Sequence, residues 1–99
     1  MSFAQQLRNA AANETIENIK YVLMEAAKHN EVELTILFND PSVKDFTAAN
    51  FSCVGQIGKL LNILYKWTEK EGVFLSPEYQ DNDNRVVQIG WKFSWDVDV

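Results

Sequence analysis

Arg85-Val86-Val87-Gln88-Ile89-Gly90-Trp91-Lys92-Phe93-Ser94-Trp95 is the stretch on which the fold turns. Side chains alternate across a strand, so Val87, Ile89, Trp91, Phe93 and Trp95 share one face and Val86, Gln88, Gly90, Lys92 and Ser94 the other. The aromatic face reads as the core face, because two Trp and a Phe are a large apolar payload for a chain of 99 residues. The opposite face is small or polar. Gln88 and Lys92 make it a candidate contact surface, weighed against a simple solvated sheet face. Trp95, at the end of the run, is read as overhanging the core, where Trp serves well as an interface anchor.

Working outward, Gln80-Asp81-Asn82-Asp83-Asn84 is a polar turn, and Val73 to Glu78 before it is a short strand. The two strands, 73–78 and 85–95, form a hairpin and therefore pair antiparallel. Pro77 marks the first of them as an edge strand, or as ending there. Ser52 to Glu71 reads as a long helix with Val54, Ile57, Leu60, Leu61, Leu64 and Thr68 as its buried stripe and Gly72 as its terminator. Upstream, Val32, Leu34, Ile36 and Phe38 alternate with Glu33 and Thr35 in a strand over 31–38. Leu37 breaks its polar side, which suggests contact with a second layer or a partner. Asn39-Asp40-Pro41-Ser42 is a turn, and Val43, Phe46 and Phe51 anchor a loop or one helical turn.

Residues 1–29 are helical, and two helices are expected. Ser2 caps the first, with Phe3, Leu7 and Ala11 on its apolar side. Ile16, Ile19, Leu23, Ala26 and Ala27 line the second, and His29-Asn30 ends it. Asn13, a residue that competes for backbone hydrogen bonds, is read as the break between them, with one continuous helix as the alternative. The expected fold is therefore a single α+β domain over 1–99, with a mostly antiparallel three-stranded sheet in the order 1-3-2. The 52–71 helix is the crossover, and the helices cover one face. The acidic tail Asp96-Val97-Asp98-Val99 follows the last strand.

Composition narrows the function classes. The net charge is −5, and residues 69–99 hold seven acids against three bases, whereas residues 1–68 are nearly balanced. Phosphate binding on nucleic acid needs clustered cations, so direct DNA or RNA binding is disfavoured. No apolar run is long enough for a membrane span, and the N-terminus lacks the basic and apolar pattern of a signal peptide. With one cysteine, Cys53, an internal disulfide is impossible, which matches a reducing cytosol and a cytoplasmic location. So small a chain gains stability most readily by self-association, and a homo-oligomer is expected.

No catalytic, cofactor or metal signature stands out. Gly55-Gln56-Ile57-Gly58-Lys59-Leu60 lacks the glycine and hydroxyl that a phosphate-binding loop needs at positions 53 and 60. Asp81-Asn82-Asp83-Asn84 opens like a calcium loop, but Arg85, Val86 and Lys92 occupy the positions that should continue it. One Cys and one His, Cys53 and His29, are too few for zinc. The aromatic residues Trp67 and Tyr65, set among Lys66, Glu69 and Lys70, read either as interface or as core boundary, and so does Tyr21 on the earlier helix.

The Met-Ser-Phe-Ala opening on a short helix, the strand Val32-Glu33-Leu34-Thr35-Ile36 and the final Val87-Gln88-Ile89-Gly90-Trp91 together resemble small α+β accessory proteins of tailed phages. The long helix with Gly55 and Gly58 and the acidic tail depart from that pattern. The resemblance implies a protein acting in the host cytoplasm by binding and inhibiting a host or defence component, with no catalytic residues.

The leading expectation is a non-enzymatic binding protein using Trp67, Trp95, Asp81, Asp83, Asp96, Asp98, Gln88 and Lys92 against a partner with a basic surface. The alternative is an oligomeric sponge for a nucleotide-like ligand, built from Lys59, Lys92, Arg85, Tyr65, Trp67 and Trp91. A third is a minor structural or assembly component.

Overall fold

A computed structural model describes residues 2–55 and 57–95. The chain runs α1 (Phe3–Lys28), β1 (Glu33–Leu37), α2 (Ala48–Phe51), α3 (Leu61–Glu71), β2 (Phe74–Asn82) and β3 (Arg85–Ser94). The three strands form one sheet in the order β1-β3-β2, with both pairings antiparallel. Fold class and strand order are as expected from the sequence.

The N-terminal region is one helix of 26 residues rather than two. Ser2 Oγ accepts the Gln5 N–H at 3.2 Å to start it, and Asn30, in the left-handed region, follows its end. Asn13 does not break it, because Asn costs a helix only about 0.7 kcal/mol relative to Ala. Across that point Ala12, Thr15, Ile16, Ile19 and Leu23 make one buried stripe. The Phe3, Leu7 and Ala11 side is exposed, not core-facing. Each i, i+4 step overshoots a helical turn by about 40°, so this row rotates away from Ile19 as it runs back toward Phe3. The 43–46 loop is tied to α1 by Thr15 Oγ1 donating to Lys44 O (2.7 Å) and by Lys44 N–H donating to Asn18 Oδ1 (2.9 Å).

The expected 52–71 helix begins only at Leu61. Ser52 leaves α2 in extended backbone, and Gly55 has φ +74°, a left-handed conformation that suits glycine and breaks a helix. Gly58 then lies against the backbone of Asn50 and Phe51, leaving no room for a Cβ. Val54 and Ile57 are consequently exposed instead of buried, while Leu60, Leu61, Leu64 and Thr68 are buried as the stripe predicts. Gly72, at φ +72°, ends the helix.

Strand β2 is longer than expected and passes through Pro77 to Asn82. The alternation explains why that is tolerated. Trp95 N–H bonds to Val32 O and Phe38 N–H to Ile89 O, so the odd-numbered residues of β3 bond toward β1. Pro77 faces Trp91 in the register, and its missing N–H therefore points off the free edge rather than into the ladder. The turn itself is only Asp83-Asn84, both at positive φ (49° and 66°), the geometry of a tight hairpin.

One face of the sheet carries Ile36, Trp91 and Phe93 against Ile19 and Leu23 of α1, Leu61 and Leu64 of α3, and Phe46 and Phe51 of the intervening segment. Phe46 stacks obliquely on Phe38 and Phe51 at 5.4 and 5.2 Å, and Tyr65 meets Trp91 edge-on at 5.8 Å. The other face is uncovered: Thr35 lies opposite Lys92, and Lys92 Nζ is 3.5 Å from Glu33. Leu37, expected to meet a second layer or a partner, is exposed, so no second layer of this chain covers it among the described residues.

The alternation of β3 does not run unbroken. Glu78 pairs with Gly90 and Tyr79 with Gln88, so Ile89 is an extra residue with no partner in β2. Such a bulge shifts the pleat by one residue and turns the preceding part of the strand over. Gln88, three residues before Trp91, thereby joins Trp91's side, and Val87, expected on the core face, is exposed.

Candidate binding surface

The bulge divides β3 into two halves with different surroundings. Gly90 to Ser94 lies between β1 and β2, whereas Arg85 to Gln88 pairs with β2 alone. Residues 79–87 are all exposed, so the distal hairpin is a two-stranded arm projecting past the core. By the register, Tyr79, Asp81, Val86 and Gln88 occupy one side of the arm, and Gln80, Asn82, Arg85 and Val87 the other. Its apolar members are far from buried: Tyr79 is 47%, Val86 63% and Val87 45% exposed.

Gln88 is the arm's anchor. It is only 6% exposed, and both ends of its carboxamide are hydrogen-bonded. Oε1 accepts the Cys53 N–H at 2.8 Å and the Ser52 hydroxyl at 3.3 Å, and Nε2 donates to Gly90 O at 3.0 Å. Just beyond the bulge, the Trp91 indole N–H donates to Phe51 O at 2.7 Å. Two side chains three positions apart thus grip one short segment, 51–53, which an unbulged strand could not arrange. Gln88 is a structural residue and not a contact residue on the open face, as the uninterrupted alternation had implied. The loop it holds presents exposed Val54 and Ile57 beside it.

At the base of the arm, partial desolvation raises the Tyr79 phenol above its ordinary pKa, and the Cys53 thiol beside it raises it further. Tyr65 is raised for the same first reason, with Cys53 and Tyr79 adding to it. Both phenols therefore stay neutral donors throughout the physiological range. Asp81, Asp83 and Arg85 have no ion-pair partner among the described residues, so the tip carries bare charge.

The remaining candidates do not converge on the arm. Trp67 and Trp95 do come to one place, lining an apolar crevice of about 290 Å³ with Leu23 and Met24 of α1. The Trp67 indole nitrogen is buried there without an acceptor among the described residues. Lys92 belongs to the open sheet face, paired with Glu33. Asp96 and Asp98 lie outside the described residues. The nucleotide-binding constellation is dispersed: Trp91 is 1% exposed and unable to stack on a ligand, Arg85 is at the hairpin turn, and Lys59 lines a cleft elsewhere. Among the described residues no group of three or more His, Cys, Asp or Glu is placed to hold a metal ion, and no helix is long and apolar enough to cross a membrane.

Tyr79, Val86 and Val87 do not stand out in the sequence. The available signal is Gly90, since glycine inside a strand marks a bulge or a close backbone approach. Comparison of the chain with protein-family models, with curated proteins and with solved structures gives no match.

Proposed function

We propose that this protein is a non-enzymatic binding protein whose β2–β3 arm docks on a protein partner with a basic surface. The observation that carries the reading is the arm itself: three exposed apolar side chains, Tyr79, Val86 and Val87, set beside the unpaired carboxylates Asp81 and Asp83. A two-stranded ribbon gains little stability from packing on itself. Apolar side chains held out on one mark an interaction surface. The carboxylates supply the long-range attraction that brings a basic partner in, and the apolar residues supply the desolvated contact. On the resemblance to phage accessory proteins, that partner is a host or defence protein in the cytoplasm.

Capture from host lysate by four baits separates the two contributions: the wild type, Asp81→Asn/Asp83→Asn, Tyr79→Ser/Val86→Ser, and Thr35→Ser on the open face as a control. The apolar pair is expected to weaken capture of the specific partner by about 30-fold or more, the scale of losing an interface anchor. The charge pair is expected to slow association and flatten its salt dependence. Capture that is equal for all four baits would reject the arm as the docking surface.

A further inference from the structure

The cleft between the N-terminal half of α1 and the start of α3 holds a second and chemically opposite surface. It encloses about 750 Å³ and takes Arg8 from the helix and Lys59 from the approach to α3. The chain is acidic, and Lys20, Lys28, Lys44 and Lys92 each sit 3.0–3.5 Å from a carboxylate. Arg8 and Lys59 have no such partner among the described residues, although they share one concavity. Lys66, Lys70 and Arg85 also lack one, but they do not line this cleft.

We propose that this cleft binds a small, hydroxylated, non-aromatic phosphate ester, with Arg8 and Lys59 holding the phosphate. A guanidinium fork and an ammonium together offer more donors than a carboxylate has oxygens, and a phosphate can use them. Although Asn50 Nδ2 already donates to Asp45 O at 3.1 Å, Gln5, Asn50 and Asn62 line the same space and add neutral carboxamide donors. So does the backbone of Asn62: Leu60 gives α3 no side-chain cap, and the Asn62 N–H has no acceptor among the described residues. Asp45 is also in the wall. Its carboxylate repels an anion but accepts from hydroxyls, so it favours a ligand that carries hydroxyl groups at some remove from its phosphate. Leu7 and Ala11, the part of α1's apolar row that the core does not cover, form the wall for the carbon skeleton. Among the described residues no aromatic ring lines the cleft, which selects against a stacked nucleobase.

The test is calorimetric titration and thermal shift on the whole chain at low salt, with glycerol phosphate, inorganic phosphate, glycerol, acetate and a nucleoside monophosphate. Glycerol phosphate is expected to bind and to raise the melting temperature by mass action, inorganic phosphate less so, and glycerol and acetate not at all. The nucleoside monophosphate is expected to gain nothing over glycerol phosphate. Arg8→Gln and Lys59→Gln should each weaken binding about 10-fold, the scale of one charged hydrogen bond. Their unliganded melting temperatures should stay at the wild-type value, since neither side chain has an ion-pair partner to lose. Tyr79→Ser/Val86→Ser should bind the phosphate ester normally, which separates this site from the arm. No binding of any phosphate, equal response to acetate, or full binding by the double variant Arg8→Gln/Lys59→Gln would overturn the proposal.

Discussion

Replacing Trp91 with alanine is expected to cost about 3–5 kcal/mol, a loss of the same order as the whole stability of many small domains. The residue is 1% exposed and is the largest fully buried side chain in the core. It occupies the centre of the sheet, with Ile36 beside it in β1 and Pro77 beside it in β2, and it meets the edge of Tyr65. Its indole N–H also ties β3 to α2 through Phe51 O. Trp91→Phe separates the two contributions. It keeps most of the packing but leaves a buried carbonyl without its donor, a cost of about 1–3 kcal/mol. Urea titration followed by circular dichroism gives both values. An alanine variant within about 1 kcal/mol of wild type would mean that Trp91 is not packed as described.

Gly90→Ala should be nearly as damaging although it adds only one methyl group. A Cβ at that position would overlap Ile36 O and lie 2.8 Å from Leu37 Cα, so the obstacle is backbone and not a side chain that can swing aside. Strand β1 has to move away from β3, at a cost of about 3 kcal/mol, the upper part of the range for overpacking. The same denaturation experiment should place Gly55→Ala much closer to wild type. A Cβ on Gly55 would meet no atom within 4 Å, and only the φ of +74° opposes the change. If the two variants were equally stable, the close approach of β1 to Gly90 would be refuted.

What the sequence disclosed and what it hid follow from the range over which each signal acts. Strand order was legible because it depends on coarse quantities: the length and apolar content of Arg85–Trp95, and the crossover that separates the first strand from the hairpin. Helix ends marked by Ser2 and Gly72 were legible because a cap acts within a few residues of itself. Asn13 misled because a weak local preference was outweighed by tertiary burial of Ala12, Thr15 and Ile16 on either side of it. The 52–60 segment misled because Val54 and Ile57 match the helical period but stand next to Gly55, whose positive φ breaks a helix, and Gly58, which packs on the backbone of Asn50 and Phe51.

The candidate surface was only half visible. Asp81 and Asp83 declared themselves through turn chemistry. Val87 did not, since alternation alone assigns faces by parity and one unpaired residue reverses the parity of everything before it, and Tyr79 did not because it lies beyond the 73–78 strand that the sequence suggests. Gln88 moved from the open face to the buried base for that reason. Trp67 and Trp95 came together as partly buried neighbours, which their separation of 28 positions in the sequence gave no means to foresee.

The division of β3 at Ile89 into a buried half and a free arm underlies both the fold and the proposed docking surface, and amide hydrogen exchange on the unliganded protein probes it without intermediaries. The amides of Gly90–Phe93, held between two strands, should exchange at least about 100-fold more slowly than those of Arg85–Val87, with the step at Ile89. Uniform protection from Arg85 to Ser94 would mean that β3 is one continuous strand with no free arm.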